Sequence, residues 1–259
     1  MKKVPLKTIV HYLDELLKLG DFSTDHSNNG LQFEGCQEVG KIVFGVDGTL
    51  DLFRIAGEKN ADMVFVHHGI SWGGNLKRIV GGDARRISML AKKDLSLYAA
   101  HLPLDAHNGI GHNALLAGMA DLQYSAPFGE YSSRYIGVRG ELPEGKSLSG
   151  LAALFQAKLP SSGDISIFGE ETRVVKRIGI ISGGGAFPSA FAEMEAHNLE
   201  CLITGEMEHS AVSYAREAGA SVIQLGHYRS EIPGVLAVME DLKRYFEIET
   251  EFVDLPTGY

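Results

Sequence analysis

A short apolar run that ends in two adjacent histidines constrains the fold of this chain more than any other segment. Four apolar and mostly β-forming residues precede the pair in Met63-Val-Phe-Val-His67-His68-Gly69. Such a run predicts a strand buried on both faces, as in the parallel sheet of an α/β protein. Two further runs have the same form, residues 95–100 before His101 and Asp105, and residues 221–226 before His227 and Glu231. Because α/β proteins place their sites at the carboxyl ends of strands, the three runs predict a set of nitrogen and carboxylate donors there.

Strand-like and helix-like runs alternate along the rest of the chain, which predicts an α/β architecture. The N-terminal residues begin like a signal peptide but continue with apolar residues at helical spacing, which predicts an amphipathic helix of the mature fold. The segment around residues 125–129 is predicted to be a linker. The predicted strands are residues 41–46, 63–66, 95–100, 135–140, 177–181, 201–204, 222–225 and 248–255. The predicted helices are residues 49–59, 84–93, 112–120, 148–158, 189–197, 211–218 and 235–245.

Two stretches of the chain match each other in order and approximate spacing. Residues 41–68 and residues 177–206 each read as strand, helix and strand. A duplicated α/β unit with a site between its copies is the economical interpretation, although any two strand–helix–strand units look alike at this level. The predicted domains are residues 1–126 with 233–259, and residues 127–232; the last helix and strand can return to either half.

The composition argues against nucleic-acid binding, membrane binding and a disulfide-stabilised fold. The 259 residues are 44% hydrophobic and carry a formal net charge of −9, which disfavours a general affinity for nucleic acid or anionic membranes. No stretch approaches the roughly 20 uncharged apolar residues that span a bilayer. The two cysteines, Cys36 and Cys201, do not suggest a disulfide framework, so a reducing cytoplasm is the expected compartment.

The donor residues form a credible two-metal set by their chemistry. Imidazole suits zinc, iron, manganese, nickel or cobalt, and carboxylates bridge paired ions. Neighbouring residues on a strand point to opposite faces, so His67 and His68 at a strand end are expected to reach two ions rather than share one. A helix is predicted to begin at Ser230, whose hydroxyl can cap it. The predicted ligands are His67, His68, Asp105, His227 and Glu231.

Other chemistry-bearing residues have simpler interpretations. The turn at residues 182–185 can cradle a phosphate at a helix N-terminus, but it lacks both phosphate-binding glycine patterns, and a tight turn explains it better. Glu206 and His209 are candidates for proton transfer. His112 is expected at a loop or helix start. The histidines expected to be core or surface residues are His11, His26, His107 and His197.

The whole chain resembles the Nif-three-like proteins, whose bacterial members are labelled GTP cyclohydrolase 1 type 2 homologues. Each matching motif is short, but their order and spacing make the combination specific, and the length resembles the compact form of the family. The motifs are Ser27-Asn-Asn-Gly-Leu-Gln32, His67-His68, His101-Leu-Pro-Leu-Asp105 with Asn108 and Asn113, Ile181-Ser-Gly-Gly-Gly185, Thr204-Gly-Glu206 with His209, and Gly226-His227 with Glu231.

The resemblance implies two similar α/β domains that face each other across a dinuclear metal site, with Asp105 and Glu231 bridging two divalent ions. It also implies a ring-shaped homohexamer built from dimers. His101 matches a position close to the metals and is expected to contact substrate or support the ligands. The chain departs from many relatives between His101 and Asp105, where they have Thr-Asn.

The predicted ligands and the family resemblance together lead to two expected functions. The first is a metal-dependent hydrolase that acts on a small heterocyclic or nucleotide-like substrate, with GTP ring opening as the specific version and with His101 and Glu206 facing the substrate. The second is a non-catalytic metal-binding protein that acts through partners as a ring-shaped oligomer. A DNA-binding role is the least favoured because of the net negative charge.

Overall fold

The computed structural model describes residues 2–161 and 163–258 and shows a mixed α/β protein with two large sheets. The chain divides into two compact units. Unit 1 comprises residues 1–104 and 235–255, and unit 2 comprises residues 105–234 with the residues from 256 onward.

The elements are numbered in chain order. The strands are β1 (Val4–Pro5), β2 (Gly30–Phe33), β3 (Glu38–Val39), β4 (Lys41–Asp47), β5 (Met63–His68), β6 (Ser96–Ala99), β7 (Gln123–Tyr131), β8 (Arg134–Ser147), β9 (Ser166–Phe168), β10 (Val174–Ile181), β11 (Cys201–Thr204), β12 (Ser221–Gln224) and β13 (Glu249–Phe252). The α-helices are α1 (Leu6–Leu16), α2 (Leu50–Glu58), α3 (Gly81–Lys92), α4 (Leu102–Asp105), α5 (His112–Met119), α6 (Leu148–Lys158), α7 (Pro188–Ala196), α8 (Val212–Glu217), α9 (His227–Ser230) and α10 (Ile232–Phe246).

Unit 1 is built on a five-stranded sheet in the order β13-β4-β5-β6-β2. Strands β13, β4, β5 and β6 are parallel, and β2 is antiparallel to β6. Central strand β5 is buried from Met63 to His67, as its apolar sequence predicts. The connecting helix α2 begins where the Thr49 hydroxyl accepts a hydrogen bond from the amide of Leu52. This packing fixes the carboxyl end of β5, where the histidine pair lies.

Unit 2 is built on a six-stranded sheet in the order β7-β8-β10-β11-β12-β9. Strands β10, β11 and β12 are parallel, whereas β7, β8 and β9 pair antiparallel with their neighbours. One face of this sheet packs on helices α5 and α6 through a cluster that includes Leu116, Leu151, Phe155, Ile178 and Ile203. Each unit therefore contains a parallel β–α–β core, β4–α2–β5 in one and β10–α7–β11 in the other.

The predicted elements of both β–α–β cores are present to within a few residues. The strand-like C-terminal segment returns to unit 1, where β13 pairs with β4. The prediction of a linker at residues 125–129 is wrong, because these residues lie within strand β7. Strand β7 lies at the edge of its sheet and, in the part of the chain that the structure describes, pairs with β8 alone. Pro127 is therefore tolerated, and the exposed residues show little apolar alternation.

Across the described residues, no helix combines the length and the apolar character that crossing a membrane would require.

Candidate metal centre

Both histidines at the end of β5 are held by their Nδ1 atoms. The Nδ1 of buried His67 lies 2.8 Å from the carbonyl oxygen of Ala100, and the Nδ1 of His68 lies 2.9 Å from Oδ1 of Asp47. Both partners are hydrogen-bond acceptors, so Nδ1 carries the hydrogen in each ring and the Nε2 lone pair remains for a ligand. This is the arrangement in which histidine binds metals, with the second ring nitrogen fixed by a carbonyl or a carboxylate.

His101 joins the pair from the carboxyl end of β6. Its ring centroid lies 5.2 Å from that of His67 and 5.6 Å from that of His68. One ring nitrogen from each of the three histidines falls within 4.8 Å of the other two, a spacing that can hold a metal ion. Unit 1 therefore gathers two predicted ligands and one predicted substrate-facing residue at one edge of its sheet.

A buried carboxylate fixes the ring of His101. The side chain of Asp25 has no exposed surface, and its Oδ1 accepts a hydrogen bond of 2.9 Å from Nδ1 of His101. Burial alone raises the pKa of Asp25, but hydrogen bonds from His101, Asn29 and Ser27 outweigh it, so this pKa lies below its ordinary value. Asp25 thus stays ionised and leaves Nε2 of His101 as the acceptor. No pattern in the sequence marks Asp25 as a site residue.

The motif Ser27–Gln32 ties together the loops that follow β5 and β6. Asn29 Oδ1 accepts the amide hydrogen of His101 at 2.8 Å. The Oε1 atom of Gln32 accepts the amides of Ile70 and Ser71 at 2.8 and 2.9 Å. In the sequence this motif stands out only through the family resemblance, and the structure gives it a physical role.

In unit 2, His227 lies between two carboxylates. Its Nδ1 is 2.9 Å from Glu206 Oε1, and its Nε2 is 3.2 Å from Glu231 Oε1, four residues along the chain. Burial lowers the pKa of His227, but the hydrogen bonds and charges of Glu231 and Glu206 outweigh this effect and raise the pKa to about 10. His227, Glu206 and Glu231 therefore form one cluster, in which a cation is favoured between the carboxylates.

The glycine turn after β10 shapes this cluster. Gly183 has φ +60°, and a Cβ placed there would collide with Glu231 Oε1. Three amides of the turn are already bonded: Ser182 to Asn113 Oδ1, Gly183 to Ser230 Oγ and Gly185 to Thr204 Oγ1. The turn therefore serves close packing, in agreement with the tight-turn interpretation.

The predicted helix start at Ser230 is wrong. Ser230 ends helix α9, which begins at His227, and Glu231 separates α9 from α10. The Ser230 hydroxyl donates to the carbonyl of His227 and accepts the amide of Gly183, so it braces the glycine turn and caps no helix. The neighbouring Arg229 is 3% exposed and donates to carbonyls at the end of α6, including those of Gln156 and Leu159.

Asp105 is the second buried carboxylate of unit 2, with 5% of its surface exposed. Its Oδ1 accepts a hydrogen bond of 3.0 Å from Ser182 Oγ, and its backbone carbonyl accepts one from Asn113 Nδ2. Ser182 precedes Gly183, so Asp105 is hydrogen-bonded to the glycine turn against which Glu231 packs.

Three other histidines differ from the predicted ligands in their tautomer or in their position. The Nδ1 of buried His112, at the start of α5, accepts the amide of Gly234, so in the neutral ring the hydrogen lies on Nε2. The Nδ1 of His107 accepts the amides of Gly109 and Ile110. His209 is exposed on a short 3₁₀ turn. No hydrogen bond or ion pair connects His209 to Glu206 or His227 within the part of the chain that the structure describes.

Comparison with known proteins gives consistent matches. The family model described as Duf34/NIF3 (NGG1p interacting factor 3) matches residues 4–257. A protein of Pyrococcus horikoshii named GTP cyclohydrolase 1 type 2 homolog is 43% identical over 96% of this chain and 98% of its own. A protein of the same name from Archaeoglobus fulgidus is 41% identical over 98% of this chain and 99% of its own. The solved structure of protein ybgI, of unknown function, superposes with a TM-score of 0.88 at 31% identity, covering 99% of this chain and 100% of that one.

Proposed function

The chain belongs to the DUF34/NIF3 family, and from this premise we propose that it binds divalent first-row metal ions, about two per chain, and uses them in a hydrolytic reaction. The proposed ligands are His67, His68, Asp105, His227 and Glu231. The proposed substrates are small nucleotide-like or heterocyclic molecules.

The arrangement of the three histidine ligands is the observation that carries this proposal. Each has Nδ1 hydrogen-bonded to an acceptor: the carbonyl of Ala100 for His67, Asp47 for His68 and Glu206 for His227. A metal ligand requires that the Nε2 lone pair face the ion, and the Nδ1 hydrogen bonds of His67 and His68 leave that lone pair available. At His227, Nε2 carries the hydrogen that faces Glu231 in the metal-free protein, and an ion bound there would take the place of that proton.

The burial of the two proposed carboxylate ligands also supports metal binding. Asp105 and Glu231 are 5% and 3% exposed. An ionised carboxylate is costly to bury unless it is hydrogen-bonded and close to positive charge. Divalent cations would supply that charge, and mixed imidazole and carboxylate ligands suit zinc, iron, manganese, nickel and cobalt.

The side chains around these donors determine what the site can do. Ions bound there would supply Lewis-acid chemistry, activating water and polarising a carbonyl, amidine or phosphoryl group. Glu206 holds the proton on Nδ1 of His227, and Asp25 holds the proton on Nδ1 of His101. His101 therefore presents Nε2 as an acceptor for a substrate hydrogen, which suits its proposed role as a substrate-facing residue. Glu206 is the second proposed substrate-facing residue.

Elemental analysis of purified protein tests the metal-binding part of the proposal. We expect about two ions per chain in the wild type and loss of metal in Asp105→Ala and His227→Ala. His197→Ala is the matched control, because His197 is an exposed residue at the end of α7 and should leave the metal content unchanged. Wild-type protein that holds no metal after reconstitution would refute the proposal.

An activity screen tests the hydrolytic part separately. Metal-loaded wild-type protein is incubated with nucleotides and phosphoesters, with Asp105→Ala as the inactive control. Turnover that depends on the metal supports catalysis. Full metal occupancy without turnover of any of these compounds would favour the second function, a metal-binding interaction protein.

The assembly is proposed to be a homohexamer, which rests on the family resemblance. Light scattering of wild type and Asp105→Ala tests this. A hexamer in both proteins separates metal binding from assembly, and loss of the hexamer in the variant would indicate a structural role for the metal.

A further inference from the structure

Helix α9 carries two of the proposed ligands but is too short to hold its own position. It spans His227–Ser230, and Glu231 follows it directly. A single helical turn is unstable by itself in water, so its place depends on contacts with the rest of unit 2. His227 and Glu231 are four residues apart, which places their side chains on one side of the turn. Arg229, two residues after His227, points to the opposite side.

The guanidinium group of Arg229 is buried, and each of its five hydrogens has an acceptor. The residue is 3% exposed. Its Nε donates to the carbonyl of Pro160 at 3.3 Å. One terminal nitrogen donates to Gln156 Oε1 at 3.0 Å and to the carbonyl of Gly163 at 2.9 Å. The other donates to the carbonyls of Gln156 and Leu159 at 3.2 and 3.5 Å.

These acceptors lie at the carboxyl end of α6 and in the loop that follows it. The last carbonyl groups of a helix have no partner within the helix, and a cation is favoured beside them. Among residues 2–161 and 163–258, no carboxylate forms an ion pair with Arg229. Because the donors of a guanidinium are held in a rigid plane, five bonds to one group of acceptors define where the backbone of Arg229 lies.

We infer that Arg229 is a positioning residue for the candidate metal centre, which locks the back of α9 onto the end of α6 and so holds His227 and Glu231 in place as ligands. The inference rests on the proposed function, since it assigns a further residue to the same site. The Ser230 hydroxyl braces the turn against Gly183, and Arg229 supplies the anchor on α6.

Nitrogen-15 NMR of the histidine rings in metal-free protein tests the positioning directly. In the wild type, the two ring hydrogens of His227 face Glu206 and Glu231, so both should give signals that are protected from exchange with water. Arg229→Met should shift or broaden both signals. Arg229→Lys should restore them in part, because an ammonium can still donate to three carbonyls. The Nδ1 hydrogen of His67 in unit 1 is the internal reference and should not change.

Zinc affinity, measured by competition with a chelating dye, gives the consequence for the proposed function. Arg229→Met should bind zinc about 10-fold more weakly than the wild type, as when a group that orients a metal ligand is lost. Gln156→Leu removes one acceptor and leaves α9 unchanged, so it should weaken binding by a smaller factor. Arg173→Met is the matched control. Exposed Arg173 donates to the Gly219 carbonyl and to Ser221 Oγ at the start of β12, and its loss should leave zinc binding unchanged.

A residue that only caps α6 would give a different result. Arg229→Met would then melt at a lower temperature, but its His227 ring signals and its zinc affinity would match the wild type, and the inference would be overturned. If Arg229→Met does not fold, unchanged His227 signals in both Arg229→Lys and Gln156→Leu would overturn it equally.

The NMR comparison keeps this inference distinct from the proposed function, because it is made without metal. Wild-type protein that binds no zinc or other divalent ion would refute the proposed function. Displaced His227 signals in Arg229→Met would still support the positioning role of Arg229 in that case.

Discussion

At the scale of single residues, Gly183 is constrained by its left-handed backbone conformation and by the close approach of Glu231. A mutation and its control can separate these two constraints. Gly183 has φ +60°, and a Cβ there would meet Glu231. Gly183→Ala should therefore lower both the free energy of unfolding, by about 2–4 kcal/mol, and the metal content. Gly219→Ala is the matched control, since Gly219 has φ +61° and nothing within 4 Å of the added Cβ.

Chemical denaturation and elemental analysis of both variants measure the difference. Gly219→Ala should lose only about 1–2 kcal/mol, the cost of a left-handed alanine, and keep its metal. Equal losses of stability and metal in the two variants would contradict the proposed contact between Gly183 and Glu231.

The raised pKa of His227 predicts that the unfolding free energy of the metal-free protein depends on pH. This pKa is raised to about 10 in the folded protein, from an ordinary value of 6.5. A raised pKa adds stability that is fully present below pH 6.5 and is lost as pH rises toward 10. We expect the difference in unfolding free energy between metal-free wild type and His227→Gln to shrink over this range, as measured by urea denaturation. A constant difference would show that the charge of His227 does not stabilise the fold.

The candidate donors were predictable from sequence, but the contacts that orient them were not: no sequence pattern marks Asp25, and Glu206 was predicted to face the substrate rather than to orient His227. His67, His68 and His101 follow apolar strands, a pattern that is visible along the chain. Asp25 orients His101 from 76 positions away, and Glu206 orients His227 from 21 positions away. These contacts depend on how the strands and loops pack, which local patterning does not encode.

At the scale of elements, the segment Ser27–Gln32 acts as a brace for the loop after β5. Gln32→Ala removes four hydrogen bonds to the backbone: Oε1 accepts the amides of Ile70 and Ser71, and Nε2 donates to the carbonyls of Asn28 and Ser71. We expect a loss of about 1–3 kcal/mol in unfolding free energy, because the partly buried amides of Ile70 and Ser71 lose their acceptor.

Thermal and urea denaturation test this expectation against Gln37→Ala. The Gln37 side chain donates to exposed Glu34 and to no other described residue, so its removal should change stability by less than about 0.5 kcal/mol. The fluorescence of Trp72 should also shift in Gln32→Ala and not in Gln37→Ala. Unchanged stability and emission in Gln32→Ala would show that the loop holds its shape without the brace.

The elements were predicted best where strands are buried and worst at the sheet edges. Strands β5 and β11 are apolar up to the polar residues at their carboxyl ends, so their sequences indicate burial directly. Edge strand β7 is mostly exposed and contains Pro127, and its pairing with β8 is a tertiary contact. Strand β9 has three residues, too few to form a pattern.

At the scale of the whole molecule, metal removal should lower thermal stability. Any ligand that binds only the folded chain stabilises it, and buried Asp105 and Glu231 lose their proposed counter-charge when the ions leave. Treatment with a chelator should lower the melting temperature by several degrees, and added metal should restore it. Differential scanning calorimetry measures this shift.

His227→Ala provides the comparison. Because this variant is expected to lack metal already, a chelator should leave its melting temperature unchanged. A chelator effect of equal size in both proteins would place the stabilising ions elsewhere.

The return of the C-terminal strand to unit 1 sets the order in which the chain can fold during synthesis. Strand β13 pairs with β4 across 208 positions, from Lys41 to Glu249. All six strands of the unit 2 sheet lie between them, from Gln123 to Gln224. A ribosome therefore releases the complete unit 2 sheet before unit 1 receives its last strand. Until then β4 is an open edge of the nascent chain, and a chaperone or a second chain can pair with it.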